Sequence, residues 1–137
     1  MQLDMQLMRY INLLDKVSRV KTTRCFIYNN TIFFVVPRQF VSQAIGRNAE
    51  NLRIMQDQMN RRIKIVAELK GKEDIKRYIE DVISPAQFKD LKIENNELII
   101  TAGNMQNKAN LLGRGKTRLE ELQEIVKDDL GLQLKVI

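Results

Sequence analysis

The chain contains no histidine, and its only cysteine is Cys25. A single cysteine excludes an intramolecular disulfide and a multi-cysteine zinc site, and without histidine there is no His-dependent acid–base catalysis. No apolar run approaches the roughly 20 residues that span a bilayer. The first ten residues, MQLDMQLMRY, lack the basic-then-apolar order of a signal peptide. We therefore expect a cytoplasmic protein that has no cofactor, metal or membrane association and is not an enzyme.

The charge balance of the chain is basic. Its 137 residues are 44% hydrophobic and 29% charged, as in ordinary soluble domains, but the net charge is +6 and the isoelectric point about 9.6. Such a balance favours polyanionic partners, either nucleic acid or an anionic membrane surface. Many basic proteins bind neither, so the charge gains meaning only from where the basic residues lie.

Two segments repeat one pattern, an Asn-Asn pair between apolar runs. They read FIYNNTIFFVVP (Phe26–Pro37) and KIENNELIITAG (Lys92–Gly103). Asparagine tolerates the positive φ values of a two-residue hairpin turn, and the flanking runs are rich in β-branched and aromatic residues. The repeat therefore predicts two β-hairpins. Their strands are Thr23–Tyr28, Thr31–Val36, Leu91–Glu94 and Glu97–Thr101.

A short amphipathic segment that ends in a glycine beside basic residues follows each hairpin. The first reads QAIGRNAENL (Gln43–Leu52) and the second ANLLGRGKTRL (Ala109–Leu119). Each continues into a helical pattern and a closing strand, RIKIVA (Arg62–Ala67) or LQLKVI (Leu132–Ile137). Each unit is thus predicted to run helix–strand–strand–helix–loop–helix–strand.

Apolar residues at helical spacing complete the two units. The predicted helices are Gln2–Val17, with Leu3 in its apolar stripe, Arg38–Ile45, Ala49–Asn60, Lys72–Ile83, Asn104–Leu112 and Thr117–Leu130. A brief charged linker near Glu68–Glu73 separates them, so we expect domains of residues 1–70 and 71–137 that do not tumble freely.

This order, with a glycine-bearing loop between two short helices, resembles the type II KH domain, a single-stranded RNA-binding module. Two such units in tandem resemble the archaeal NusA-like family of transcription termination and antitermination factors. The resemblance covers about Leu14 to Ile137, and its most specific segments are AIGRNAENL, LLGRGKTRL and LKVI. It implies an α+β fold of two tandem type II KH domains, each a three-stranded mixed sheet with helices packed on one face.

In the KH family the loop reads Gly-x-x-Gly, and its backbone clamps about four nucleotides. The motif maps onto Gly46-Arg47-Asn48-Ala49 and Gly113-Arg114-Gly115-Lys116. Both loops depart from it at the fourth position. Ala49 adds one methyl group, which we expect to be tolerated. Lys116 either contacts a phosphate or points into solvent in a loop that has lost tight contact with RNA.

Other basic residues extend the candidate RNA-binding surface. Arg47 and Arg114 occupy the loop tips, and Arg53 and Arg118 follow along the next helices. All four could meet phosphates or stack on bases. The basic residues of the first closing strand are weaker candidates, because edge strands often carry cations that block aggregation. They are Arg61, Arg62 and Lys64.

Apolar residues beside the loops are candidates for the floor on which bases lie, although core packing is the simpler interpretation of each. They are Ile45, Leu52 and Ile63 in the first unit and Leu112, Leu119 and Leu134 in the second. The aromatic residues of the first hairpin could suggest a stacking platform, but in a KH sheet we expect them in the core or at the seam between units. They are Phe26, Tyr28, Phe33 and Phe34.

Two further patterns have ordinary explanations. Gly115-Lys116-Thr117 resembles the end of a phosphate-binding P-loop, but Asn110 stands where that motif needs its first glycine. The carboxylate pairs Glu120-Glu121 and Asp128-Asp129 are predicted to lie on a solvated helix face, and Cys25 in a buried strand.

The resemblance implies a protein that grips nascent transcript and modulates elongation or termination beside RNA polymerase. We expect it to be a monomer. With so short a linker, the two grooves could form one track for roughly eight to eleven nucleotides. Two alternatives stay open: a KH-fold adaptor that binds proteins and retains only vestigial RNA affinity, and an RNA-binding protein of ribosome assembly.

Overall fold

The computed structural model describes residues 5–137, which divide into two compact units between Asp74 and Ile75. The first unit opens with helix α1 (Met5–Ser18), so Leu3 and the predicted start of this helix at Gln2 lie outside the described residues. The other elements of this unit are β1 (Arg24–Tyr28), β2 (Thr31–Val36), α2 (Val41–Ile45), α3 (Glu50–Met59) and β3 (Arg62–Ala67). Single 3₁₀ turns at Arg38–Phe40 and Arg47–Ala49 precede α2 and α3.

The second unit repeats this order. After a 3₁₀ turn at Lys72–Asp74, its elements are α4 (Ile75–Ile83), β4 (Asp90–Glu94), β5 (Glu97–Thr101), α5 (Met105–Leu112), α6 (Thr117–Leu130) and β6 (Gln133–Val136). A 3₁₀ turn at Arg114–Lys116 joins α5 to α6. The predicted helix from Lys72 therefore has its first residues in a tighter turn, and the last strand is shorter than the predicted Leu132–Ile137.

Both sheets have the same strand order and pairing. In the first, β2 lies in the centre, antiparallel to β1 and parallel to β3. In the second, β5 is antiparallel to β4 and parallel to β6. A hairpin followed by a parallel return strand after two helices is the topology of the type II KH domain. The predicted fold class, an α+β chain of two tandem type II KH domains, is confirmed.

The hairpin turns follow the Asn-Asn pattern. Asn29 and Asn30 have φ values of 49° and 59°, and Asn95 and Asn96 have 51° and 65°. Two consecutive positive φ values are what a tight hairpin turn between twisted strands requires, and asparagine adopts them more readily than most residues. The predicted turns are therefore confirmed at both positions.

The buried core of the first unit lies between its sheet and its helices. Ile32 and Phe34 from β2 pack in one cluster with Leu14 of α1, Ala44 of α2 and Met55 of α3, and Cys25 is buried among them as predicted. The second unit buries residues at equivalent places in its sheet and in its last two helices. They are Leu98, Ile100, Leu111 and Leu122, each with no exposed surface. In each unit, one buried apolar layer thus fixes the positions of two helices and of the loop that connects them.

Asp129 was predicted to be solvated, but it has a hydrogen-bond partner. The hydroxyl of Tyr78 in α4 donates a hydrogen bond of 2.6 Å to Oδ2 of Asp129 in α6, and Asp129 is half-buried. The expectation that both members of the Asp128-Asp129 pair lie on a solvated face is therefore wrong for Asp129. Among residues 5–137, no helix is both long and apolar enough to cross a membrane.

Candidate nucleic-acid interface

The first glycine of each loop has a backbone conformation that other residues adopt only at a cost in free energy. Gly46 has φ 82° and ψ 166°, and Gly113 has φ 72° and ψ 174°. This combination is open essentially to glycine alone. Space is also lacking, because a Cβ on Gly46 would lie 2.9 Å from the backbone nitrogen of Asn51. On Gly113 it would lie 2.7 Å from Cγ of Arg118. Both loops therefore need glycine where the helix before them ends.

The last two residues of each loop are left-handed, with nearly the same angles in both units. Asn48 and Gly115 have φ values of 53° and 62°, and Ala49 and Lys116 have 58° and 62°. The same hydrogen bond closes each loop, from the backbone nitrogen of its fourth residue to the carbonyl of its first glycine at 3.1 Å. The four-residue loops are thus two copies of one backbone structure.

The backbone conformation at the fourth loop position explains why a residue other than glycine can stand there. A left-handed conformation costs a residue with a Cβ roughly 1–2 kcal/mol, whereas at the first glycine a comparable backbone cost is joined by crowding of the new Cβ. Ala49 and Lys116 are therefore accommodated with strain, while Gly46 and Gly113 cannot be replaced so easily. The expectation that the methyl group of Ala49 is tolerated stays a prediction, and the structure adds a backbone cost to this residue.

Replacing Ala49 with glycine should therefore stabilise the protein. Relief of the left-handed strain, roughly 1–2 kcal/mol, outweighs the extra freedom of glycine in the unfolded chain, roughly 0.4–1 kcal/mol. We expect Ala49→Gly to raise the free energy of unfolding by about 0.5–1 kcal/mol, measured by chemical denaturation.

Lys116→Gly should raise the free energy of unfolding similarly, but it should also weaken RNA binding if Lys116 contacts a phosphate. An RNA affinity unchanged by Lys116→Gly would show that this lysine points into solvent.

The loops present helix starts together with exposed cations. Helix α3 begins directly after Ala49 and α6 directly after Lys116, and neither of these residues caps its helix with a side-chain hydrogen bond. The backbone N–H of the first residue of each helix already donates to the carbonyl of the loop arginine. The next N–H groups of the first turn and the positive end of the helix dipole favour an anion. The side chains of Arg47, Arg114 and Lys116 are all exposed at these ends. The arrangement is electrostatically suited to phosphate groups.

Arg118 and Arg53 have different surroundings. Nη1 of Arg118 donates a hydrogen bond of 3.2 Å to the carbonyl of Asn110, near the end of α5. In the first unit Asn51 has the same role, donating from Nδ2 to the carbonyl of Gln43 at 3.0 Å. Arg118 therefore ties the two helices together as well as carrying charge beside the loop. Arg53 is exposed, and the residue at its place in the second unit is Glu120.

A pair of glutamines that was not among the predicted site residues links each helix to the outer strand. Oε1 of Gln56 accepts a hydrogen bond from the backbone nitrogen of Ile63 at 3.1 Å. Nε2 of Gln123 donates to the carbonyl of Leu134 at 3.4 Å. Each glutamine is the tenth residue after the first glycine of its loop. An alignment of the two repeats therefore identifies the two glutamines as an equivalent pair. These bonds fix the spacing between α3 and β3 in the first unit and between α6 and β6 in the second. We call the space beside each loop, between that helix and that strand, the candidate groove.

The predicted apolar floor divides into two parts. Ile63 and Leu134 are only 4% and 6% exposed, so they belong to the core. The other four residues are half-buried and keep accessible surface beside the loops; they are Ile45, Leu52, Leu112 and Leu119. Each loop therefore has a small apolar strip next to it.

The aromatic residues and Lys64 lie away from the loops. Phe26, Tyr28, Phe33 and Phe34 are all buried, and the rings of Phe26 and Phe33 stack with centroids 5.0 Å apart. Nζ of Lys64 lies 5.7 Å from the centroid of the Phe33 ring. Lys64 and Phe33 share one face of the sheet, and Ile63 and Ile65 lie on the other. The aromatic residues are thus not an exposed stacking platform. Of the other basic residues in and before β3, Arg61 is half-buried and Arg62 exposed.

The described residues contain no cluster of three or more His, Cys, Asp or Glu side chains placed to hold a metal ion. Gly115-Lys116-Thr117 follows helix α5, whereas a P-loop follows a strand.

A solved structure has a similar fold. The crystal structure of APE1850 is similar with a TM-score of 0.66 over 98% of this chain and 99% of that chain. The sequences are 17% identical, so the likeness concerns the fold. No protein-family model matches the chain, and neither does any curated protein.

Proposed function

We propose that this chain is a single-stranded RNA-binding protein that acts as a cytoplasmic, monomeric NusA-like factor, gripping nascent transcript beside RNA polymerase to modulate elongation or termination. The observation that supports the RNA-binding part is the duplicated loop. Both copies have the same backbone angles, an exposed arginine at the second position and an uncapped helix start behind them. The resemblance to NusA-like factors supports the transcriptional part.

The proposed clamp works without covalent chemistry. Phosphates of the strand meet the first-turn N–H groups that follow the first residue of α3 and of α6, together with the side chains of Arg47 and Arg114. The bases turn toward the half-buried strips formed by Ile45 with Leu52 and by Leu112 with Leu119. Unstacked bases are accessible in a single strand, whereas a duplex keeps them paired. Single strands should therefore be preferred to duplexes.

The affinity for single-stranded RNA should fall steeply as the salt concentration rises. Each neutralised phosphate contributes roughly −0.7 to the slope of log affinity against log salt. If Arg47, Arg114 and Lys116 each take one phosphate, the slope is about −2. Fluorescence anisotropy with labelled RNAs of about ten to twelve mixed-sequence nucleotides measures it, with duplex RNA as the control. A flat response, or equal binding of the duplex, would contradict the clamp.

The transcriptional part of the proposal has its own test. Tagged protein purified from its native cells should bring down RNA polymerase together with short transcripts, and nuclease treatment should release the transcripts. Recovery with small ribosomal subunit particles instead would move the function to ribosome assembly. Recovery of a protein partner by a chain that binds no RNA would favour the adaptor alternative.

A further inference from the structure

The two units differ in the length of the helix behind the loop. Helix α3 has 10 residues and α6 has 14, although both begin directly after their loops. Four residues are about one helical turn. The added turn, Lys127–Leu130, ends at Gly131, which is left-handed with φ 68°. Helix α6 therefore extends about one turn further from its loop than α3 does.

A cavity of about 550 Å³ lies beside this added turn. Its walls are the β4–β5 turn, one side of α6 and the start of β6. Gln123 and Leu134 line it, and the hydrogen bond between them joins α6 to β6 along the candidate groove. The cavity is thus continuous with the groove and lies at the end remote from the Gly113 loop. Its volume falls within the range of small-molecule sites, roughly 300–1,000 Å³.

The polar groups of the cavity suit a nucleobase better than a phosphate. The side chains of Asn96 and Gln133 are exposed amides, which both donate and accept hydrogen bonds as base edges do. The carboxylate of Glu124 lines the same cavity, repels phosphate and accepts hydrogen bonds from amino groups. Half-buried Leu132 supplies apolar surface for the face of a ring. Lys127 adds one cation, which can hold the phosphate attached to a base in the cavity.

We propose that this cavity is a nucleobase subsite of the second unit, and that it selects a base with an exocyclic amino group over uracil. The inference rests on the proposed binding of single-stranded RNA and adds one base-specific position beyond the nucleotides held at the Gly113 loop. The first unit, which has the shorter helix, holds its share of the strand without this subsite.

The test uses oligouridine of about twelve nucleotides in which one cytidine or adenosine is moved along the strand. With the wild-type protein, one register should bind about five- to tenfold more tightly than uridine alone. Asn96→Gly and Gln133→Ala should each abolish most of this preference. Glycine is suited to the Asn96 position, because φ there is 65°. Asn30→Gly, at the equivalent turn of the first unit, is the matched control and should keep the preference.

The outcomes separate the subsite from the wider function. Binding of RNA with no preferred register, or an equal effect of Asn96→Gly and Asn30→Gly, overturns the subsite and leaves RNA binding intact. Absence of binding to every oligonucleotide by folded protein overturns both.

Discussion

Replacing four loop residues with aspartate should reduce the affinity for single-stranded RNA by at least about 100-fold. The variant combines Arg47→Asp, Asn48→Asp, Arg114→Asp and Gly115→Asp. It removes two cations and places four carboxylates where phosphates are proposed to lie, so each loop loses attraction and gains repulsion. The backbone should survive, because Asn48 and Gly115 are left-handed and aspartate tolerates that conformation better than most residues. Anisotropy titration at low salt measures the loss.

A charge-matched variant separates the local effect from the global one. The four loop changes lower the net charge by six, from +6 to zero. Lys16→Glu, Lys72→Glu and Lys76→Glu lower it by the same amount at exposed positions outside the loops. We expect this control to bind RNA far more tightly than the loop variant. Equal losses would show that overall charge, rather than the loops, drives binding. Retention of binding by the loop variant would contradict the clamp itself.

Replacing Gly113 with alanine should lower the free energy of unfolding by about 2–3 kcal/mol. Its backbone conformation costs other residues roughly 1–3 kcal/mol, and the new Cβ would crowd Arg118 at 2.7 Å. Gly115→Ala is the matched control two residues away. The nearest atom to a Cβ there is Oγ1 of Thr117 at 4.0 Å, so only the left-handed strain applies. After the entropy of the unfolded chain is counted, that strain leaves a net cost of about 0.5–1 kcal/mol.

Denaturant titrations of the two glycine variants, read against wild type, test this difference. The larger shift of the midpoint should belong to Gly113→Ala, and circular dichroism before the transition should confirm that both variants are folded. Equal shifts would contradict the loop geometry, because the two glycines differ in ψ and in the space around them rather than in the sign of φ.

The sequence predicts the fold well because its main signals are local. Strand β2 (Thr31–Val36) and helix α6 (Thr117–Leu130) have the predicted bounds. The Asn-Asn turns depend on a conformational preference of asparagine itself. The start of α4 is less well predicted, since the acidic residues before Ile75 form a 3₁₀ turn that continues the helical pattern.

The candidate site is harder to predict, because its details depend on distances across the chain. A comparison with the Gly-x-x-Gly motif identifies both loops in the sequence. It does not show that glycine is required at the first position, whereas at the fourth it would only relieve strain. The bond from Arg118 to the carbonyl of Asn110 and the bond from Tyr78 to Asp129 join residues whose proximity is created by folding. The glutamines at positions 56 and 123 were detectable from the repeat, but only by comparing the two units position by position.

The left-handed fourth residue of each loop affects the conformational entropy that the loop would lose on binding a ligand. A residue with a Cβ has fewer backbone conformations available than glycine, so Ala49 and Lys116 narrow the ensemble of the unoccupied loop. A narrower ensemble loses less conformational entropy when a ligand is held. If the loops hold RNA as proposed, the strain at these two residues accompanies a smaller loss of backbone entropy on binding than glycine would have at the same positions.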